Sequence, residues 1–229
     1  MKKSILILWQ SLIGLLPTFY LLAIWNKLPQ IVPTHFDSNM VANDFGHKSE
    51  VLGTILFIFC VSTGVSMLIL NLNKVDPKQR FASSNPVIQK ISWVITIFMA
   101  LITLFIIYQT QYYPRSNKTG LSSKYFFALI SLLFAVLGNF MNNIKPNYFF
   151  GIRTPWALED DENWRKTHHL SSKLWFFGGL LMVALIVILP LSYTHSILIG
   201  GIIPLAIIPF VYSYNLFRQK QKTRKEKLD

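Results

Sequence analysis

Long apolar runs, free of charge and separated by short polar stretches, fix the first reading of this chain. Apolar residues run from Ile5 to Trp25, and again near Val51–Leu72, Val87–Tyr108, Tyr125–Met141, Leu174–Leu191 and Ile197–Phe217. Each is near the roughly 20 residues that a helix needs to cross a bilayer. Six such runs predict an all-α, polytopic membrane protein with about six transmembrane helices. Pro190 and Pro204 or Pro209 fall at or inside the last two. Prolines are tolerated there when neighbouring groups satisfy the freed carbonyls. The polar stretches are too short for an independent soluble core.

Composition agrees. Of 229 residues 52% are hydrophobic and 14% charged, against about 25% charged in a soluble domain. The net charge of +12 raises the question of nucleic acid, but the basic residues sit in loops, where they act as topology signals. The segments 1–4, 73–86, 142–173 and 218–229 carry most of them. Both termini are therefore expected in the cytoplasm, with the loop 26–50 outside. The tail from Arg218 to Lys227 is expected against anionic lipid headgroups, not nucleic acid. Leu22-Ala23-Ile24-Trp25 offers no convincing signal-peptidase site, so the first run reads as a retained span. The lone Cys60 builds neither a disulfide framework nor a thiolate metal site within one chain.

The spans divide into two halves, 1–112 and 113–229, each with its longest polar loop after its first span. That arrangement is compatible with an inverted repeat, although the loop sequences do not match. In the loop 26–50, Pro29 and Pro33 keep the chain extended. Asp37, Ser38, Asn39, Asn43, Asp44 and Gly46 form turns. His35, His47, Asp37 and Asp44 are weighed as a metal or proton site. Their irregular spacing favours a histidine that hydrogen-bonds the loop.

The densest polar segment is 138–175, GNFMNNIKPNYFFGIRTPWALEDDENWRKTHHLSSKLW. Lys145-Pro146-Asn147 makes a turn. Tyr148, Phe149 and Phe150 suit the membrane interface. Gly151 permits a positive backbone torsion or a close approach. Arg153 offers a guanidinium able to clamp a carboxylate or phosphate. Thr154-Pro155 reads as a cap followed by proline at the first helical position. A short interfacial amphipathic helix is expected from about Asp160, with Glu159, Asp160, Asp161 and Glu162 at its start and Arg165, Lys166, His168 and His169 toward its end. Its spacing places Trp164, Thr167, His168 and Ser171 on one face. Glu162 and His168 are weighed as an acid and a base. Adjacent His168 and His169 diverge by about 100° on a helix and do not share a metal easily. No phosphate loop, nucleophile elbow or zinc protease motif occurs. Recognition or structure outweighs catalysis, and no cofactor or metal is expected.

The segment KPNYFFGIRTPWALEDDENWRKTHHLSSKLW resembles the signature of the SdpI family of bacterial membrane proteins. Pro146, Asn147, Gly151, Ile152, Arg153, Thr154, Pro155, Trp156, Leu158, Trp164, Lys166, Thr167 and His168 stand at matching places. The loop LPQIVPTHFDSN, with Phe45-Gly46 and Lys48 beyond it, resembles the P-x-H-F domain of unknown function often joined to that family; Met40 stands where the pattern has Gly. The resemblance implies a multi-pass plasma-membrane protein of a Gram-positive-type bacterium that confers immunity to a secreted, membrane-active peptide toxin. It also implies, for some members, signalling by holding a cognate transcriptional repressor at the membrane. On that reading Pro33, His35, Phe36, Asp37, Gly46 and Lys48 form the outer motif facing toxin. The residues from Pro146 to His168 just named form the inner motif facing a partner. A small-molecule or lipid transporter is the alternative, although the spans offer few ionisable residues to mark a path. A membrane hydrolase using Glu162, His168 or His169 is the third.

Overall fold

The computed structural model describes residues 3–37, 41–72, 86–116 and 120–227. The segment 73–85 and the turn residues Ser38, Asn39 and Met40 lie outside the described residues, so the expectations placed on them have no structural counterpart. Six helices are long and apolar enough to cross a membrane. They are α1 (Lys3–Ile24), α2 (Lys48–Asn71), α3 (Pro86–Ser116), α4 (Gly120–Met141), α6 (Asp161–Ile188) and α7 (Thr194–Glu226). A five-residue helix, α5 (Pro155–Glu159), precedes α6. Phe57, Leu68, Phe177, Leu181 and Ile188 point outward and are more than half exposed. Helices apolar on their outer faces belong in lipid, and the chain is a multi-pass membrane protein.

Two compact units contain the described residues. The first comprises Met1–Asn71 with Ile88–Phe126, the second Leu72–Val87 with Phe127–Asp229. In the first, the loop after α1 is an antiparallel hairpin of β1 (Ile31–Phe36) and β2 (Ala42–His47). The extended entry expected around Pro33 is β1; the pairing with a second strand adds a small sheet to the all-α expectation. The register shifts on either side of His35. Such bulges are where a strand accommodates proline, and Pro33 stands next to one. The pattern was hard to read because β2, ANDFGH, is polar on both faces and carries no clean alternation. Val32 of β1 is fully buried among Leu21, Ile24, Leu28, Val51, Ile55 and Ile107, which anchors the hairpin to α1, α2 and α3. Polar pairs lock the same helices: Gln10 with Ser92 at 2.9 Å and Ser66 with Thr96 at 3.0 Å.

The second unit corrects a boundary. The polar stretch expected as a separate interfacial helix is the start of α6, which runs unbroken for 28 residues. Nothing between Asp161 and Phe177 breaks a helix, so hydropathy placed the boundary where the charges stop. Similarly, α7 continues past Phe217 to Glu226. At 1.5 Å per residue its 33 residues span about 50 Å, beyond the ~30 Å hydrocarbon core.

Close crossings hold this unit together. A Cβ on Gly138 would stand 2.5 Å from the backbone nitrogen of Phe176, and one on Gly179 2.5 Å from that of Ala135. Helix α4 therefore approaches α6 backbone to backbone, as small residues allow in membranes. Pro209 in α7 has no N–H to offer the carbonyl of Leu205, four residues earlier. Trp175 of α6 supplies one, Nε1 donating to Leu205 O at 2.9 Å.

Candidate functional site

The polar segment after α4 folds as a latch closed by α6 and α7. Asn147, 3% exposed, organises its first turn. Its Oδ1 accepts from Phe149 N at 2.8 Å and Phe150 N at 2.7 Å. Its Nδ2 donates to Lys145 O at 2.8 Å. Half-buried Pro146 precedes it. The next residues swing to Gly151, whose φ is 94°. An added Cβ there would also strike His168 Nε2. Glycine is therefore needed twice over, for the torsion and for the approach.

His168 is 1% exposed, and both its ring nitrogens are engaged. Ile152 N donates to Nε2 at 3.0 Å. Nε2 must then carry the lone pair and Nδ1 the proton, which goes to Trp164 O at 2.8 Å. The ring stacks on Trp164 with centroids 4.0 Å apart. Trp164, 2% exposed, donates Nε1 to Ile144 O at 2.8 Å. One turn of α6 thus grips the loop at both ends. A proton on Nε2 would face it toward the Ile152 N–H, so this histidine is a neutral structural acceptor.

The far side of the latch closes on Ser213 of α7. Ser213 Oγ donates to Asn163 Oδ1 at 2.7 Å, and Asn163 Nδ2 donates back to Ser213 O at 2.9 Å. Thr167 Oγ1 donates to the same Oδ1 at 3.0 Å. With its own proton committed, Ser213 Oγ accepts from Trp156 Nε1 at 2.9 Å and from Thr154 Oγ1 at 3.0 Å. Thr154 in turn caps α5, accepting from Ala157 N at 3.3 Å, with Pro155 at the first helical position. Every group in this buried network has a partner, which low-dielectric burial demands. Trp156 packs among Phe210, Tyr214 and Phe217, with ring centroids 5.3–5.7 Å away.

Outside the latch the charges remain exposed. Asp160 caps α6 and pairs with Lys220 at 2.7 Å. Partial burial pushes its carboxyl pKa up. The hydrogen bond from Lys220 and the N–H groups of Glu162 and Asn163 outweigh this and hold it below the ordinary 3.8. Lys166 pairs with Glu162 at 2.8 Å. Arg153 is exposed and donates to Tyr148 O at 2.6 Å, leaving most of its donors to the surroundings. No ion pair of Arg153 occurs among the described residues. Nor does any group of three His, Cys, Asp or Glu that could hold a metal.

The structure therefore brings together Asn147, Gly151, Thr154, Trp156, Trp164, Thr167 and His168, and leaves Arg153 and Lys166 on the surface. Sequence reading missed Asn163 and Ser213, which hold the centre of the network. Asn163 stands four residues before Thr167, a usable signal. Ser213 is one small residue in an aromatic run, and only its neighbours in space reveal it.

The hairpin residues of the first unit are arranged by a second set of contacts. His47 caps α2: its Nδ1 accepts from Ser49 N at 3.3 Å, and its Nε2 reaches Gln30 Oε1 at 3.0 Å. Glu50 reaches back to His47 N at 3.0 Å, completing a capping box. A Cβ on Gly46 would stand 2.5 Å from Glu50 Oε2, so this glycine makes room for the cap. Lys48, 7% exposed, donates to Trp25 O at 3.1 Å at the end of α1 and lies over the Trp25 ring. Asp37 closes the hairpin through Val41, its N–H donating to Val41 O at 2.8 Å. His35 pairs with Asn43. With Pro33 and Phe36 it lines a cavity.

Comparison with known proteins identifies both regions. Residues 143–213 match the model of the SdpI/YfhL protein family, and residues 12–59 match a domain of unknown function, DUF1648. The immunity protein SdpI of Bacillus subtilis (strain 168) is 24% identical over 95 residues, covering 42% of this chain and 45% of that protein. The matched region thus spans less than half of the relative's length. No solved structure matches the chain. The segment that builds the latch is thus similar to the SdpI/YfhL family, and the stretch that includes the hairpin is similar to DUF1648.

Proposed function

We propose that this protein is a non-enzymatic immunity protein of the bacterial plasma membrane, protecting its cell from a secreted, membrane-active peptide toxin. The observation that carries the reading is the similarity to a protein named for immunity, together with the family match over the latch. On this reading both termini are cytoplasmic. The DUF1648 hairpin faces outward, where Pro33, His35, Phe36 and Asp37 meet toxin. The latch faces inward and displays Arg153 and the basic end of α7 to anionic headgroups and to a cytoplasmic partner such as a repressor. The chemistry of the latch supports a scaffold role. Its histidine, tryptophans, threonines and asparagines are occupied with one another, and Arg153 keeps donors free for a carboxylate or phosphate.

The test is survival. The chain is expressed in a toxin-sensitive bacterium lacking its own immunity genes, and the cells are challenged with membrane-active killing peptides, including any encoded beside this gene. Protection is expected, and Arg153→Ala is expected to weaken it at equal membrane abundance. Absence of protection against every peptide would overturn the reading.

A further inference from the structure

Under the hairpin of the first unit lies a cavity of about 590 Å³, within the roughly 300–1,000 Å³ range of ligand pockets. Its apolar wall comes from Phe36, Val51, Ile102, Phe105, Ile106 and Phe126. Its polar side chains are Thr34, His35, Asp44, Glu50, Thr54 and Gln109. Asp44 and Glu50 are its acidic side chains, and no lysine or arginine lines it. Neither acid pairs with a cation among the described residues.

Gln109 also lines the cavity. It is 5% exposed, and its Nε2 has no hydrogen-bond partner among the described residues. A buried amide donor without an acceptor costs about 1–3 kcal/mol, and native chains retain few of them. The contrast with Gln10 is direct, since that glutamine uses both ends of its amide on Ser92. A ligand presenting a carbonyl oxygen would satisfy Gln109.

We propose that this cavity binds a hydrophobic peptide segment: its apolar side chains fill the aromatic and aliphatic wall, a backbone carbonyl accepts from Gln109, and a positive amine meets Asp44 and Glu50. A phospholipid fits less well. Bringing its ester carbonyl to Gln109 would bring its phosphate beside the carboxyl groups of Asp44 and Glu50, with no lysine or arginine in the lining to pair it. The choice of a peptide as occupant is strengthened by the immunity reading above; the cavity, its unpartnered donor and its acidic character do not depend on it.

The experiment uses the full chain in phosphatidylcholine nanodiscs. The probe is a short leucine- and phenylalanine-rich peptide amide with a free N-terminal amine and a fluorophore near its other end. Anisotropy is read against empty nanodiscs. Saturable binding above the empty discs is expected, and N-acetylation of the probe is expected to weaken it about fivefold. The pair Asp44→Asn with Glu50→Gln should weaken the free-amine probe and leave the acetylated one unchanged, because glutamine keeps the helix cap while removing the charge. Gln109→Leu should weaken both probes about fivefold while raising the thermal midpoint of the empty protein, since it removes an unsatisfied buried amide. A misfolded variant would lower both.

Binding no greater than to empty discs, or unchanged by all three substitutions, would overturn the proposal. Loss of probe binding when phosphatidylethanolamine is added to the discs would make the occupant a lipid and overturn the peptide assignment. Cells separate this result from the immunity reading. Protection without cavity-dependent binding keeps that reading and rejects this site. Cavity-dependent binding without protection keeps the site and rejects the reading.

Discussion

At the scale of single residues, the motif from Pro146 to His168 is written largely for internal contacts. Gly151 is the sharpest case. Its φ of 94° lies where an L-residue is strained, and its Cα faces His168 Nε2. Gly151→Ala should destabilise the protein by about 2–3 kcal/mol and lower the midpoint of thermal unfolding in detergent. An unchanged midpoint would show that the loop can move off α6 without loss. Asp160 gives a pH prediction. Its pKa is held below 3.8 in the folded state. The stability it contributes is therefore present above that value and lost as pH falls through the folded pKa. Asn caps helices about as well as Asp. Asp160→Asn should thus leave the neutral-pH midpoint within about 1 kcal/mol of wild type, as an exposed ion pair requires, and should flatten the acid limb of the profile. Asp160→Ala loses the cap as well and should cost about 1 kcal/mol more at every pH.

Among elements, the helices were legible from hydropathy, and so was the start of α5 at Thr154-Pro155. The face of α6 formed by Trp164, Thr167, His168 and Ser171 was also legible, and all four are buried. What stayed hidden was pairing. Hydropathy began the fifth span only after the last charged residue, Lys173, because it weighs residue type and not facing direction. It could not show that Arg165 and Lys166 point outward from a continuous α6. Nor does it show that an indole on α6 completes a carbonyl on α7. That last contact yields a double-mutant cycle. Trp175→Phe should cost about 1 kcal/mol by stranding Leu205 O. In a Pro209→Ala background the helix supplies its own N–H to that carbonyl, and the same substitution should cost measurably less. Equal costs in the two backgrounds would mean that the indole bond is independent of the proline.

For the whole molecule, the sequence carries an orientation that the helices by themselves do not. Six spans read equally well in either direction by length and apolarity. The bias of lysine and arginine breaks the symmetry, because basic segments near span ends are retained in the cytoplasm. Arg165, Lys166 and Lys173 on the exposed face of α6, with the basic end of α7, carry most of that bias in the second unit. In the first unit the hairpin loop holds only Lys27 and Lys48. Lys48 is turned inward onto Trp25, so its charge satisfies a helix end. Single cysteines in a Cys60→Ser background read the outcome directly. A membrane-impermeant maleimide should label Ile31→Cys in intact cells, since Ile31 is exposed on β1. It should label Glu159→Cys and Lys222→Cys only after permeabilisation. The opposite pattern would invert the protein, placing the latch outside and withdrawing the hairpin cavity from any ligand that arrives from the medium. Labelling of all three from one side would contradict the odd number of spans that separates the hairpin from Glu159 and from Lys222. The experiment therefore tests, together, the charge rule that orients the chain and the assignment of an outward receptor site to the hairpin.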